Sequence, residues 1–214
     1  MGGKSPALYL FEGTWWSHRE VPLVLPYFQA LQTSYGPNYG PISLSHRTIR
    51  TGDDIAYWIK RILRGERAFV YFACHGNRLE LYPADGRHPI DREALIEALG
   101  HMKHNAVEFL HFGCCEMVDK KDREGSLNEL AHFQDVRWVS GYVKRIDWLD
   151  SMFLDLALVA RLYLPYRYAK SSKARLAARA TGFCEQYEQL ARQLGFCGVT
   201  CDRAGRTRLV PERP

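Results

Sequence analysis

Short, continuous apolar runs alternate along this chain with longer segments whose apolar residues recur every three or four positions. Ala7–Glu12, Phe69–Ala73 and Val107–Phe112 are runs of five or six residues, rich in aromatic and aliphatic side chains. Such runs predict strands buried on both faces. Ser43–Ile49 and Val136–Ser140 predict two further strands. Between them, Pro22 and Pro26 bracket a predicted helix that reaches Ser34 and stops at Gly36-Pro37. Thr51 or Asp53 caps a second helix through Leu63, with Ile55, Trp58, Ile59 and Ile62 on one face. Asp91 caps Arg92–Leu99, and Gly100 ends it. Ile146–Tyr163 is apolar on nearly all sides and predicts a packed helix; Ser171 or Ser172 opens a last amphipathic helix ending near Gly195. Arg78–Ile90 predicts a hairpin turned at Pro83-Ala-Asp-Gly86, and the tail a second one, Val199–Asp202 against Thr207–Val210 around Ala204-Gly205. The charged stretch Lys120–Gly125 predicts a mobile loop.

Strands alternating with helices imply an α/β layer architecture around a mostly parallel sheet. With 214 residues and no internal repeat, one domain is expected, burying on the order of 70% of its unfolded surface. The net charge of +5 gathers late, from Arg161 through Arg208, and reads as a solvated helix face; no nucleic-acid partner is expected. No apolar run reaches the roughly 20 residues a membrane span needs, and the first residues lack a secretory core, so a cytoplasmic chain without membrane contact is expected. Its six cysteines should then be reduced. Cys197-Gly-Val-Thr-Cys201 has a spacing zinc could use, yet no second pair accompanies it, and no metal or cofactor is expected.

The chemistry gathers at two strand ends. One run finishes Phe72-Ala-Cys74-His75-Gly76, the other Phe112-Gly-Cys114-Cys115-Glu116. If the two strands are parallel neighbours, an imidazole and a thiol meet at one sheet edge, the place where open α/β sheets bind ligands. That pairing is the minimum for a cysteine nucleophile with a general base. The backbone N–H groups of a helix opening after Cys115 would favour its thiolate. Gly76 lets a substrate approach the backbone, and its N–H together with that of Cys115 could form an oxyanion hole. A phosphatase loop of the form Cys-x5-Arg is excluded, because the corresponding positions hold Lys120 and Lys121. No glycine-rich phosphate loop or dinucleotide fingerprint occurs.

A strand ending His-Gly followed by one ending in a small residue and Cys resembles the caspase-like cysteine peptidases, and among them the bacterial CHAT subgroup. His111-Phe-Gly-Cys114-Cys115-Glu116 is similar to that subgroup's second motif, as is Trp138-Val-Ser-Gly-Tyr142 followed by Ile146-Asp-Trp148. The resemblance covers residues 7–165, the expected peptidase core; 166–214 would be a C-terminal helix and basic tail packed on the same domain. It implies a three-layer sandwich with a mostly parallel central sheet flanked by helices. It also implies a thiol endopeptidase acting on a protein substrate, with His75 as catalytic histidine and Cys115 as nucleophile. A shift of one residue would make Cys114 the nucleophile. Substrate contacts would fall to Arg50, in an Arg50-Thr-Gly-Asp53 segment that doubles as a helix-start turn, or to Asp147, which could equally cap the helix it precedes. Regulated proteolysis in bacterial defence or cell death is the setting implied, with a separate activating partner or a cut within Lys120–Gly125 as the trigger. A catalytically silent module that binds partners is the rival.

Overall fold

The computed structural model describes residues 5–13, 24–39, 41–83, 88–101, 106–131, 136–168, 174–201 and 207–211. In chain order the elements are β1 (Ala7–Glu12), α1 (Leu25–Tyr39), β2 (Ser43–Thr48), α2 (Gly52–Ile59), β3 (Ala68–Ala73), β4 (His75–Asn77), β5 (Glu80–Tyr82) and α3 (Arg92–Gly100). Then come β6 (Val107–Phe112), α4 (Arg123–Ala131), β7 (Trp138–Tyr142) and α5 (Trp148–Leu158), which continues through a π-helical turn, Val159–Tyr163, into α6 (Leu164–Tyr168). The chain ends with α7 (Ala174–Gln186), α8 (Glu188–Leu194), β8 (Phe196–Cys201) and β9 (Thr207–Val210).

Seven strands form one sheet in the order β2-β1-β3-β6-β7-β8-β9. The five from β2 to β7 run parallel, and β8 and β9 are antiparallel additions. β3 and β6 are buried at every position because helices cover both faces. On one face Val70, Phe72, Leu110 and Phe112 pack with Ile55 and Ile59 of α2, Leu95 of α3 and Leu127 of α4. Phe69, Tyr71 and Phe109, one residue out of step, point to the other face against Leu154, Leu158 and Phe183. The expected α/β sandwich with a mostly parallel sheet is therefore the architecture. No helix among the described residues is long and apolar enough to cross a membrane.

Several local expectations shift. α1 begins at Leu25 and runs past Gly36-Pro37 to Tyr39, with Pro26 accommodated in its first turn; Pro22 lies outside the described residues. Thr51 caps α2 through a capping box with Asp54, and the helix ends at Ile59. Beyond it the chain tightens into i→i−3 bonds, Arg61 N–H to Trp58 O and Ile62 N–H to Ile59 O, which still bury Ile62. Lys120–Gly125 is not all loop: α4 starts at Arg123, where Asp122 accepts the Gly125 N–H in the manner of an N-cap. The predicted last helix is two, broken at Tyr187, whose φ of −112° and ψ of 25° are not helical. Ser171, Ser172 and Ala204-Gly205 lie outside the described residues.

Candidate active site

β3 and β6 are hydrogen-bonded parallel neighbours with Phe72 opposite Phe112, so the segments after them leave the sheet side by side. They do not leave as free loops. His75-Gly-Asn77 forms β4 and pairs antiparallel with Glu80-Leu-Tyr82, so the hairpin turns at Arg78-Leu79. The turn expected at Pro83-Ala-Asp-Gly86 falls mostly outside the described residues; what is seen of that arm is a bridge between Leu81 and Ile90. Arg78 and Leu79 have φ of 45° and 67°, and Glu116 has 47°. Left-handed backbone at non-glycine residues is costly and persists only where neighbouring structure enforces it. The enforcement is visible: Arg78 N–H donates to Glu116 O at 2.8 Å, and Leu79 N–H to Met117 O at 3.1 Å. The hairpin carrying His75 is thus sewn to the segment that follows Cys115.

That segment is anchored on its other sides too. Gly113 N–H donates to Phe72 O, Glu116 N–H to Lys144 O and Val118 N–H to Tyr142 O. Glycine is required at two points. A Cβ on Gly76 would sit 2.8 Å from Cys114 Cβ and 3.0 Å from Cys115 O, and one on Gly113 would meet the Tyr71 hydroxyl. Leu81 exchanges both its backbone bonds with Ile90. Its pairing with Gly76 is then of the non-hydrogen-bonded kind, and the Gly76 N–H turns to the outer side of β4.

The two adjacent cysteines differ sharply. Cys114 is fully buried, with Sγ 3.8 Å from Cys74 Sγ and 3.5 Å from Phe72 O. Burial, then the Cys74 thiol, push its pKa far above that of an ordinary thiol. Cys115 is half-buried and its Sγ lies 4.0 Å from Ile146 O, in the segment after β7. Burial raises its pKa too; Cys114 and Glu116 add to the rise, while the Ile146 contact and Arg145 oppose it. The expected help from a helix N-terminus is absent, because the chain after Cys115 is irregular until Arg123 and the Glu116 N–H is spent on Lys144. His75 is exposed on β4.

Asp147 is the N-cap of α5, accepting from Leu149 N–H at 2.9 Å and Asp150 N–H at 3.0 Å; it adjoins Ile146 and so stands one residue from the Cys115 contact. Arg50 is exposed in the turn before α2, its N–H bound to the Asp54 carboxylate. Cys197 and Cys201 are buried on β8, and burial raises Cys197 to about 12.

A second constellation was not anticipated. Ser140 Oγ lies 2.8 Å from His111 Nδ1, and His111 Nε2 lies 2.6 Å from Asp155 Oδ1. Trp138 Nε1–H donates to Ser140 Oγ, and the phenols of Tyr71 and Tyr142 donate to the Asp155 carboxylate at 2.7 Å and 2.5 Å. One hydrogen-bond assignment satisfies every group: Ser140 donates to Nδ1, and His111 donates from Nε2 to Asp155. The spacing is that of a hydrolytic triad, yet Ser140 and His111 are 0% exposed and Asp155 is 1% exposed. The available signal was a histidine inside a largely apolar strand run and an aspartate inside a largely apolar helix, since such groups are buried only when paired.

No family model matches the chain. No curated protein sequence does either. Solved structures do. A secreted C11 cysteine protease from Bacteroides thetaiotaomicron, in complex with an irreversible peptide inhibitor, aligns with TM-score 0.55 at 11% identity, over 94% of this chain and 66% of that one. A second structure of such a protease from the same organism, called iotapain, gives TM-score 0.56 at 11% identity, over 94% and 67%. Caspase-1 from Spodoptera frugiperda aligns with TM-score 0.47 at 11% identity, over 85% and 77%. This chain spans about two thirds of the length of the C11 protease. The chain shares its fold with the C11 cysteine protease.

Proposed function

We propose that the chain is a cysteine endopeptidase with Cys115 as nucleophile and His75 as general base. One observation carries the reading. The hairpin bearing His75-Gly76 is bonded, backbone to backbone, onto the segment that follows a half-exposed thiol, at the edge of a sheet that cysteine proteases share. Cys114 is the poorer nucleophile because its sulfur is sealed against Cys74 and the Phe72 carbonyl. As Cys115 Sγ bonds to the scissile carbonyl carbon, His75 takes the thiol proton and the carbonyl oxygen takes the charge. The N–H groups of Gly76 and Cys115 donate to that oxyanion. Collapse breaks the C–N bond, and His75 protonates the leaving amine. Water, deprotonated by His75, then hydrolyses the thioester.

Burial raises the Cys115 thiol, which favours transfer of its proton to His75 in step with attack. Of the substrate-contact candidates, Asp147 adjoins the residue that touches Cys115, while Arg50 belongs to the turn before α2. Regulated proteolysis of a protein substrate, in bacterial defence or cell death, is the setting we assign on resemblance. A separate activating partner, or a cut beside exposed Lys120 and Lys121, would supply the trigger. The raised thiol pKa also favours a second reading, a catalytically silent partner-binding module. Incubation with a mixed peptide library separates the two: cleavage lost in both Cys115→Ala and His75→Ala establishes the peptidase. No cleavage, with Cys115 still open to a small alkylator, leaves the silent module.

A further inference from the structure

The described residues contain a cleft of about 300 Å³ at the end of the sheet where β7 hands over to β8 and β9. Its floor is apolar, from Val143, Phe196 and Val210. Its rim brings together four cations from four separate parts of the chain: Arg123 opens α4, Lys144 follows β7, Arg192 lies on α8 and Arg208 on β9. Two carboxylates oppose them, Glu185 and Glu188, and Glu188 is already paired with Arg192. Lys144 has a structural duty as well, since Nζ donates to the carbonyls of Arg192 and Gln193 at the end of α8. The other three cations are not needed to end that helix. Like charges converging on an apolar hollow raise its potential and favour an anionic occupant with an apolar side chain.

The cleft is wired to the candidate nucleophile. Lys144 O accepts the Glu116 N–H at 2.9 Å, and Ile146, two residues on, touches Cys115 Sγ. Two residues of extended chain span about 7 Å, so a peptide seated on Cys115 reaches the rim within about four residues. Resting on the peptidase reading, we infer that this cleft docks an acidic segment of the protein substrate that also carries one apolar side chain. Substrate choice would then be set beside the scissile bond as well as at it.

Binding is measured on the Cys115→Ala chain by fluorescence anisotropy, with a labelled peptide in which glutamates flank a leucine. Binding should weaken about tenfold or more with glutamines in place of the glutamates, or with Arg192→Glu and Arg208→Glu together, and should fall as salt rises. The milder Arg192→Gln and Arg208→Gln pair should lose part of the affinity, which guards against misfolding of the charge-reversed chain. On the wild-type chain, joining the glutamate segment to a cleaved peptide should lower KM, an advantage the double variant loses. Equal binding of both peptides, or none on a folded chain, overturns the inference. So does binding of inorganic tripolyphosphate without binding of the peptide, which would mark a small-anion site. Since anisotropy needs no turnover, the cleft can fail while Cys115 still cleaves, and the reverse.

Discussion

Ser140–His111–Asp155, from β7, β6 and α5, and His75–Cys115, from β4 and the segment after β6, share residue types with hydrolytic enzymes, but their surroundings are opposite. The first set has near-ideal spacing and no access: each polar atom is matched by a partner, and the three residues are at most 1% exposed. The second has access, with His75 exposed and Cys115 half-buried, and its frame is strained backbone rather than a closed network. A buried polar row fully satisfied from within holds elements together, here β3, β6, β7 and α5 through Asp155 and the phenols of Tyr71 and Tyr142. Distance criteria alone would rank the sealed row first. Access reverses the ranking.

The comparison makes opposing predictions for the two regions. Cys115→Ala and His75→Ala should each lower peptide cleavage at least about thousandfold, while shifting the urea midpoint little, since neither side chain is fully buried. Asp155→Ala should do the reverse. Stranding the donors of His111, Tyr71 and Tyr142 costs about 3–5 kcal/mol, read as a lower urea midpoint, and the chain that remains folded should still react at Cys115. Gly76→Ala combines both kinds of damage: its Cβ would press on Cys114 and the Cys115 carbonyl, so cleavage should fall about 10- to 100-fold with a smaller loss of stability. Thermal melts run beside the kinetics separate those contributions.

The smallest effect concerns pH. Burial first, then Cys114 and Glu116, raise the Cys115 thiol. Less thiolate is then present at any given pH, and alkylation by a neutral reagent should keep climbing beyond the about 8.5 of a free thiol. Glu116→Gln removes one of the charges that raise the pKa and should shift the profile modestly downward. An unshifted profile in the wild-type chain would contradict the burial argument.

Much of this was written in the chain. The apolar run at β3 and the largely apolar run at β6 predicted central strands, and the His75-Gly76 and Cys114-Cys115 endings pointed to one sheet edge. The hairpin was harder to read. Its turn uses Arg78 and Leu79 in a conformation that glycine or asparagine normally adopts, and only the bonds to Glu116 and Met117, distant in sequence, hold it there. α4 was hidden because its amphipathic signal is weak and the charged approach through Lys120 resembles a loop. The break at Tyr187 has no glycine or proline to announce it. The resemblance favoured Cys115 over the adjacent Cys114; the packing of Cys114 against Cys74 and the half-buried setting of Cys115 support that proposal.

The most direct test of the account is peptide-level mass spectrometry after exposure of the folded chain to a peptidyl acyloxymethyl ketone. Modification of Cys115, abolished by His75→Ala and absent from Cys114 until the chain is unfolded, is the predicted result. Modification of Cys114 in the folded chain, or labelling of Cys115 that is indifferent to His75, would contradict it.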